Sequence, residues 1–343
     1  MAGKENSIGW ISNLRVIATI AVIVVHVSME SRFDASLYTD LIYGGLARFC
    51  VPIFIMITGA LLIPKDLSLD IFTKKWIIKI IPPFLFWNIP YLIYNAQLRP
   101  HTGDVFSFKS SLYENFKSLF QDGVSYHFWY VYMIVGVYLF LPIIGKWARN
   151  ATNNELLYFL LIWFGLLVVQ IPSLSKYKPA IDLYYFSGYI GYLILGYFLY
   201  KQDRHNKIWV PLLLIVLGHF LTSALTYYFT VRDNHFVHTY YDYLRPNVVV
   251  LSAGVFLLFK QLNKGVVQNS FARNIWHLLE KHSYGIYLCH LLVLIMLKNY
   301  GFDNRFIHPL IGTPLCTLFI LLLSFLLVWV INKVPFIGKY ISG

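Results

Sequence analysis

Runs of about twenty apolar residues recur ten times along this chain, and that recurrence restricts the fold more than any other feature. A hydrocarbon core about 30 Å thick needs roughly 20 such residues per helix. Within lipid every backbone N–H and C=O must find a partner inside the segment, so these runs predict helices. Cutting at polar and Pro/Gly clusters gives the spans Ile8–Met29, Leu41–Ile63, Trp76–Leu98, His127–Gly145, Leu156–Pro172, Leu183–Tyr200, Ile208–Val231, Pro246–Leu262, Ser283–Tyr300 and Pro309–Lys333. The third span is interrupted by Lys79, the Pro82–Pro83 pair and Pro90, and predicts a kinked or broken helix. Apolar residues make up 58% of the chain and charged residues 13%, which excludes a soluble globule, a disordered chain and a collagen. The expectation is an all-α polytopic membrane protein with about ten transmembrane helices, as one domain over residues 1–343 with no separate soluble domain. Arg15 interrupts the first run and no small-residue cleavage pattern follows, so that run reads as part of the fold and not as a signal peptide.

Positively charged loops stay cytoplasmic, and counting Lys and Arg in alternate loops orients the chain. With the N-terminus inside, sixteen basic residues fall on the inner side and nine on the outer, with Arg15, Arg48 and Arg245 in or beside spans. Both termini are expected in the cytoplasm. The net charge of +12 then follows from topology, and no nucleic-acid-binding module is present. The outer segment 99–126 carries Phe108, Leu112, Phe116, Leu119 and Phe120 at helical spacing, and the inner segment around Phe271, Ile275, Leu278 and Leu279 does the same. Both read as interfacial amphipathic helices. Cys50, Cys289 and Cys316 lie in apolar runs without metal-ligand spacing and read as small buried hydrophobes.

Ionisable groups inside a span cost a few kcal/mol and mark cavities or partners. Arg15 and His26 are eleven helical steps apart, three turns plus about 20°, so they share a face of the first span roughly 16 Å apart along it. One reading is an Arg snorkelling inward and a His at headgroup level; the other is an anion-holding Arg and a proton-handling His along one transverse path. Arg48 enters the outer third of the second span. It either packs against a carbonyl or Asp40, or stands beside His26 and keeps that imidazole neutral, the form a general base needs. His127 opens the fourth span beside Phe128, Trp129 and Tyr130, a cluster suited to an interfacial belt or to stacking on a sugar ring. His290 sits near mid-membrane, beyond the reach of any headgroup. His219, with only Ser223 on its face, reads as structural. Asp182, Arg245 and Asn247 mark outer span ends, as acceptor-binding groups or as salt-bridged loop edges.

Taken in order, Trp10-Ile11-Ser12-Asn13-Leu14-Arg15, the Arg15/His26 pair, Val51-Pro52-Ile53-Phe54 through Thr58-Gly59, His127-Phe128-Trp129, and Ser283-Tyr284-Gly285-Ile286-Tyr287-Leu288 through His290 resemble the acyltransferase-3 membrane family. Within it the likeness is to stand-alone O-acetyltransferases such as the one that decorates enterobacterial common antigen. Thr58 stands where that family usually has Ser, and the hydrolase-like extra domain of some members has no counterpart here. The resemblance implies a bacterial inner-membrane O-acyltransferase that takes acetyl-CoA or another acyl-CoA from the cytoplasm and acylates a hydroxyl of a surface polysaccharide or lipid-linked sugar.

It also implies that Arg15, His26 and Arg48 carry the activity. His127, Trp129, Asp182, Arg245 and His290 are then candidates for the acceptor site. Lys74, Lys75, Lys79, Arg273 and Lys281 are candidates for the acyl-CoA phosphates. Direct transfer with His26 as base and a covalent acyl-His26 are both open. No bound cofactor or metal is expected; acyl-CoA, the glycan and the bilayer are the partners. A proton-coupled transporter or flippase using the same intramembrane Arg and His residues is the alternative from another class.

Overall fold

The computed structural model describes residues 2–29, 35–66, 69–97, 117, 123–177, 186, 188–202, 207–262 and 270–342. Among them there are helices and turns and no strand. The principal helices are α1 (Ala2–Ser28), α2 (Leu37–Leu62), α3 (Leu69–Gln97), α4 (Trp129–Asn150), α5 (Asn153–Val169), α6 (Ile190–Lys201), α7 (Trp209–Asp233), α8 (Pro246–Gln261), α9 (Ser270–Lys281), α10 (Ser283–Asn299) and α11 (Pro309–Asn332). Each of the ten expected apolar spans contains or overlaps one of these helices, the span expected over Leu183–Tyr200 being helical from Ile190 with most of its earlier part outside the described residues, and α9 is the expected inner amphipathic helix. The outer amphipathic segment falls almost wholly outside the described residues.

Six helices are long and apolar enough to cross a membrane: α1 from Gly9, α2, the run Tyr126–Asn150 that contains α4, α7, the run His238–Gln261 that contains α8, and α11. The apolar helices α5, α6 and α10 are shorter. The protein is an all-α, multi-pass membrane protein. Large apolar side chains on the outward faces of α7 and α11, among them Leu213, Val216, Phe220, Leu322 and Leu326, are exposed, as expected of surfaces that a bilayer covers.

The first helix is the hub. Trp10, Leu14, Ala18, Ile23 and Val25 are buried on several sides, and α1 packs against α2, α8, α9, α10 and α11. Such all-round burial explains why its sequence is apolar on more than one face, in contrast to the single stripe of a surface helix. α2 is not a uniform helix: it passes through a π-helical stretch, Asp40–Gly44, and a turn at Arg48–Phe49 before the regular run Cys50–Leu62. Arg48, at that turn, is buried. α3 runs as one helix from Leu69 to Gln97 through Pro82, Pro83 and Pro90, so the prolines do not divide it. Tyr284 donates to the Ile80 carbonyl at 3.0 Å, tying α10 to α3 just before the proline pair, which removes the N–H donors of the Ile78 and Lys79 carbonyls.

Cations fasten the helix ends. Arg149 donates to the Ile63 and Lys65 carbonyls at 3.1 and 2.9 Å and pairs with Asp66, tying α4 to the end of α2. Lys260 donates to the Leu199, Tyr200 and Gln202 carbonyls at the end of α6. Thr152 and Glu155 form a capping box that starts α5 directly after α4.

α2 and α6 approach closely through glycines. A Cβ on Gly59 would meet the Leu193 backbone, and one on Gly196 would meet the Met56 backbone. At Gly136 and Gly165, in α4 and α5, a Cβ would meet nothing within 4 Å. Gly196→Ala is therefore expected to lower the unfolding temperature of the detergent-solubilised protein, costing about 1–3 kcal/mol. Gly136→Ala and Gly165→Ala should leave it unchanged or raise it, because alanine is the better helix former by up to about 1 kcal/mol. Equal effects at all three positions would contradict this packing.

Candidate active site

The site is built where α1, α3, α10 and the start of α4 meet. Tyr91 of α3 donates to the Leu288 carbonyl at 3.0 Å and accepts from the Leu292 amide at 2.9 Å, so one phenol engages both ends of a helical step of α10. His127 brings Nε2 to the same Leu288 carbonyl at 3.4 Å, while its Nδ1 lies 3.0 Å from Ser125 Oγ. The two contacts are satisfied together by a neutral ring with the proton on Nε2, a tautomer assigned from its partners. Tyr287 in turn donates to the His127 carbonyl. His290, fully buried, donates from Nδ1 to the Tyr287 carbonyl at 2.6 Å.

His26 faces this group. Its ring centroid lies 5.1 Å from that of His290 and 6.2 Å from that of His127, and His127 and His290 are 5.3 Å apart. His26 Nδ1 is 3.1 Å from the hydroxyl of Tyr126, a residue exposed at the mouth of the cluster. Three imidazoles from three distant parts of the chain thus converge. Among the described residues no group of three or more His, Cys, Asp or Glu has an arrangement that would hold a metal ion.

Arg48 is 6% exposed, and its Nε and Nη2 have no hydrogen-bond partner. Its guanidinium sits over Tyr241 at 4.4 Å and near Tyr243 at 5.8 Å. Of the two readings of its surroundings, no bond to a carbonyl or to Asp40 reaches Nε or Nη2; two aromatic faces lie against the guanidinium. Two donors are consequently left available in the interior. Next to it, Trp129 stacks on Tyr243 at 5.7 Å and lies 5.8 Å from Tyr189, an aromatic group with one side turned to this space.

Arg15 lies on the same helix as His26 but is not a free anion holder. It pairs with Glu280 of α9 at 2.9 Å, with Arg15 and Glu280 side chains 31% and 18% exposed, and Ser12 also donates to Glu280. Tyrosines adjoin the cluster: Tyr130 lies 5.2 Å from Tyr287, and Tyr287 stacks on Tyr284. Thr58, the hydroxyl residue of the motif, bonds the Phe54 carbonyl at 2.9 Å and Tyr138.

Other candidates sit elsewhere. Arg245 is spent on the Thr239 and Gln170 carbonyls at 3.0 and 2.8 Å and on Asp242, the loop-edge role; Asn247 is buried on Thr222 and the Tyr240 carbonyl. His219 bonds Ser223, as a structural histidine would. Asp182 lies outside the described residues. Lys79 is exposed beside Trp76, and Lys281 is exposed at the end of α9. Lys74, Lys75 and Arg273 lie on α3 and α9, with side chains outside the description. Sequence reasoning missed Tyr91, Tyr126, Ser125, Tyr241 and Glu280; only Glu280 carried a signal, as an acid on the inner amphipathic helix directly before α10.

Residues 8–333 match the acyltransferase-3 family, described as an acyltransferase domain. No curated protein and no solved structure matches the chain. With a family match over nearly its whole length and a bundle of apolar helices around a buried Arg and His cluster, the chain belongs to the acyltransferase-3 family and is a multi-pass membrane acyltransferase.

Proposed function

We propose that this protein is an O-acyltransferase of a bacterial inner membrane that moves an acyl group, acetyl in the simplest case, from cytoplasmic acyl-CoA to a hydroxyl of a surface polysaccharide or lipid-linked sugar. The observation that carries this reading is the convergence of the His26, His127 and His290 imidazoles in a bundle that also buries a guanidinium, Arg48, whose Nε and Nη2 have no hydrogen-bond partner. Acyl transfer to a hydroxyl needs those two things: a neutral base, and donors waiting where negative charge develops.

In this reading His26 takes the proton of the acceptor hydroxyl as its oxygen attacks the thioester carbonyl. Arg48 donates to the oxyanion. The carbon–sulfur bond then breaks, and the thiolate leaves with the proton that His26 carried. A cation held only by aromatic faces is suited to this, because it gives up no ion pair when the oxyanion forms. Trp129, with Tyr189 and Tyr243, offers stacking surface for a sugar ring near His127. On the inner side the nucleotide end of acyl-CoA is assigned to the basic residues of α3 and α9, Lys74, Lys75, Lys79, Arg273 and Lys281, with the pantetheine arm rising past Arg15 and along Tyr138 and Tyr130. Both termini are then cytoplasmic, in line with the distribution of Lys and Arg.

The test is CoA release by purified protein given radiolabelled acetyl-CoA, with 4-nitrophenyl hexosides as probe acceptors. His26→Ala should cut turnover by about 10²–10⁴-fold in a folded protein, and Arg48→Gln should lower kcat by about 10²-fold. Full turnover in His26→Ala would remove His26 as the base. Arg15→Ala should raise the KM for acetyl-CoA more than that for the acceptor. Glu280→Gln, which releases the Arg15 charge, should lower it. Movement of both in the same direction would make the pair a structural clamp and not part of the donor path.

A further inference from the structure

The mechanism above leaves His290 without a task, although it is the most deeply buried imidazole of the cluster. Its Nδ1 is committed to the Tyr287 carbonyl at 2.6 Å, which places the ring proton on Nδ1 and a lone pair on Nε2. That Nε2 is buried and has no partner. An unsatisfied buried acceptor costs about 1–3 kcal/mol, a cost that a leucine in the same place would not carry. His127 gives no parallel, since both of its nitrogens are engaged.

The neighbour across from His290 is His26, with ring centroids 5.1 Å apart and planes tilted by 43°. His26 Nδ1 lies 3.1 Å from the Tyr126 hydroxyl; with Nδ1–H donating to that oxygen, the tautomer a base needs, Nε2 is the atom that receives a proton. Once it does, His26 becomes a cation, and among the described residues no carboxylate is hydrogen-bonded to the cluster that would offset it. The His290 Nε2 lone pair is an unengaged acceptor within the cluster.

We propose that His290 is the positioning residue of the transfer step: its unpartnered Nε2 lone pair stabilises the positive charge that the neighbouring His26 ring gains when it takes the proton of the acceptor hydroxyl. The hydroxyl O–H breaks and the N–H forms on His26; the oxygen–carbon bond forms and the carbon–sulfur bond breaks. The proton on His26 then passes to the thiolate, which leaves as a thiol, and His26 returns to neutral. The Tyr287 carbonyl keeps the His290 ring from turning its N–H toward His26, and Tyr91 and His127 hold the α10 backbone on which that carbonyl sits. This inference rests on the acyl-transfer reading.

The experiment compares His290→Leu, which fills the space without an acceptor, with His290→Gln, which keeps one. Both are assayed in proteoliposomes with radiolabelled acetyl-CoA and with water and 4-nitrophenyl hexosides as acceptors. Expected is a kcat loss of about 10²-fold in His290→Leu, with the KM for acetyl-CoA within about twofold of wild type and no loss of thermal stability. His290→Gln should stay within about tenfold of wild type. Wild-type kcat in His290→Leu, or equal losses in both variants, would overturn the proposal. Should His290→Leu not fold, His290→Met takes its place with the same expectations. An inactive His26→Ala beside a fully active His290→Leu defeats this inference alone, whereas an active His26→Ala defeats the acyl-transfer reading itself.

Discussion

One phenol organises the interior of this bundle. In a medium without water a helical carbonyl or amide engaged by a side chain has no other source of compensation, and the Tyr91 hydroxyl meets both the Leu288 carbonyl and the Leu292 amide. Because α3 holds α10 at that point, His127 can lean on the same carbonyl and His290 can bond the carbonyl one residue earlier. The ring positions of two of the three histidines therefore follow from backbone bonding and not from their contact with each other. Imidazoles fixed in this way keep defined tautomers, a requirement for proton transfer in one direction.

The two charges of the cluster's surroundings are treated differently. Arg15, toward the cytoplasmic third in the proposed orientation, is neutralised by Glu280. Arg48 is held by ring faces and keeps donors in reserve. A charged nucleotide end arriving from one side would compete with a carboxylate, while a charge that exists only during transfer would meet a cation without a rival. Tyr130, Tyr284 and Tyr287 form a contiguous group of polar but uncharged rings beside the cluster.

Much of the fold was legible because hydropathy and helix length are read directly from residue order: all ten apolar runs became helices, and α9 appeared where its amphipathic pattern lay. The proline-rich α3 differed: it continues through Pro82, Pro83 and Pro90, packed against α10, where Tyr284 bonds the Ile80 carbonyl. Periodicity gave the shared face of Arg15 and His26, but it could not say what stood opposite. The partnership of Arg15 with Glu280 joins residues 265 positions apart, and the convergence of His26, His127 and His290 depends on helix packing that no spacing encodes. Arg48 shows the same limit: its depth was readable, but its seat between Tyr241 and Tyr243 depends on a loop far along the chain. Arg245, a candidate for the acceptor, turned out to be held by loop carbonyls, because an outer span end needs donors for its own backbone.

The central claim is that His26 lies on a path open to the outer face and reached by acyl-CoA from the inner one. All three native cysteines are buried, so a His26→Cys variant lacking Cys50, Cys289 and Cys316 reports from that position alone. In oriented vesicles a charged, membrane-impermeant maleimide added to the outer side should label the new thiol, and acetyl-CoA on the inner side should slow the labelling. A thiol that reacts only with lipid-soluble reagents, or at a rate that acetyl-CoA leaves unchanged, would contradict the account.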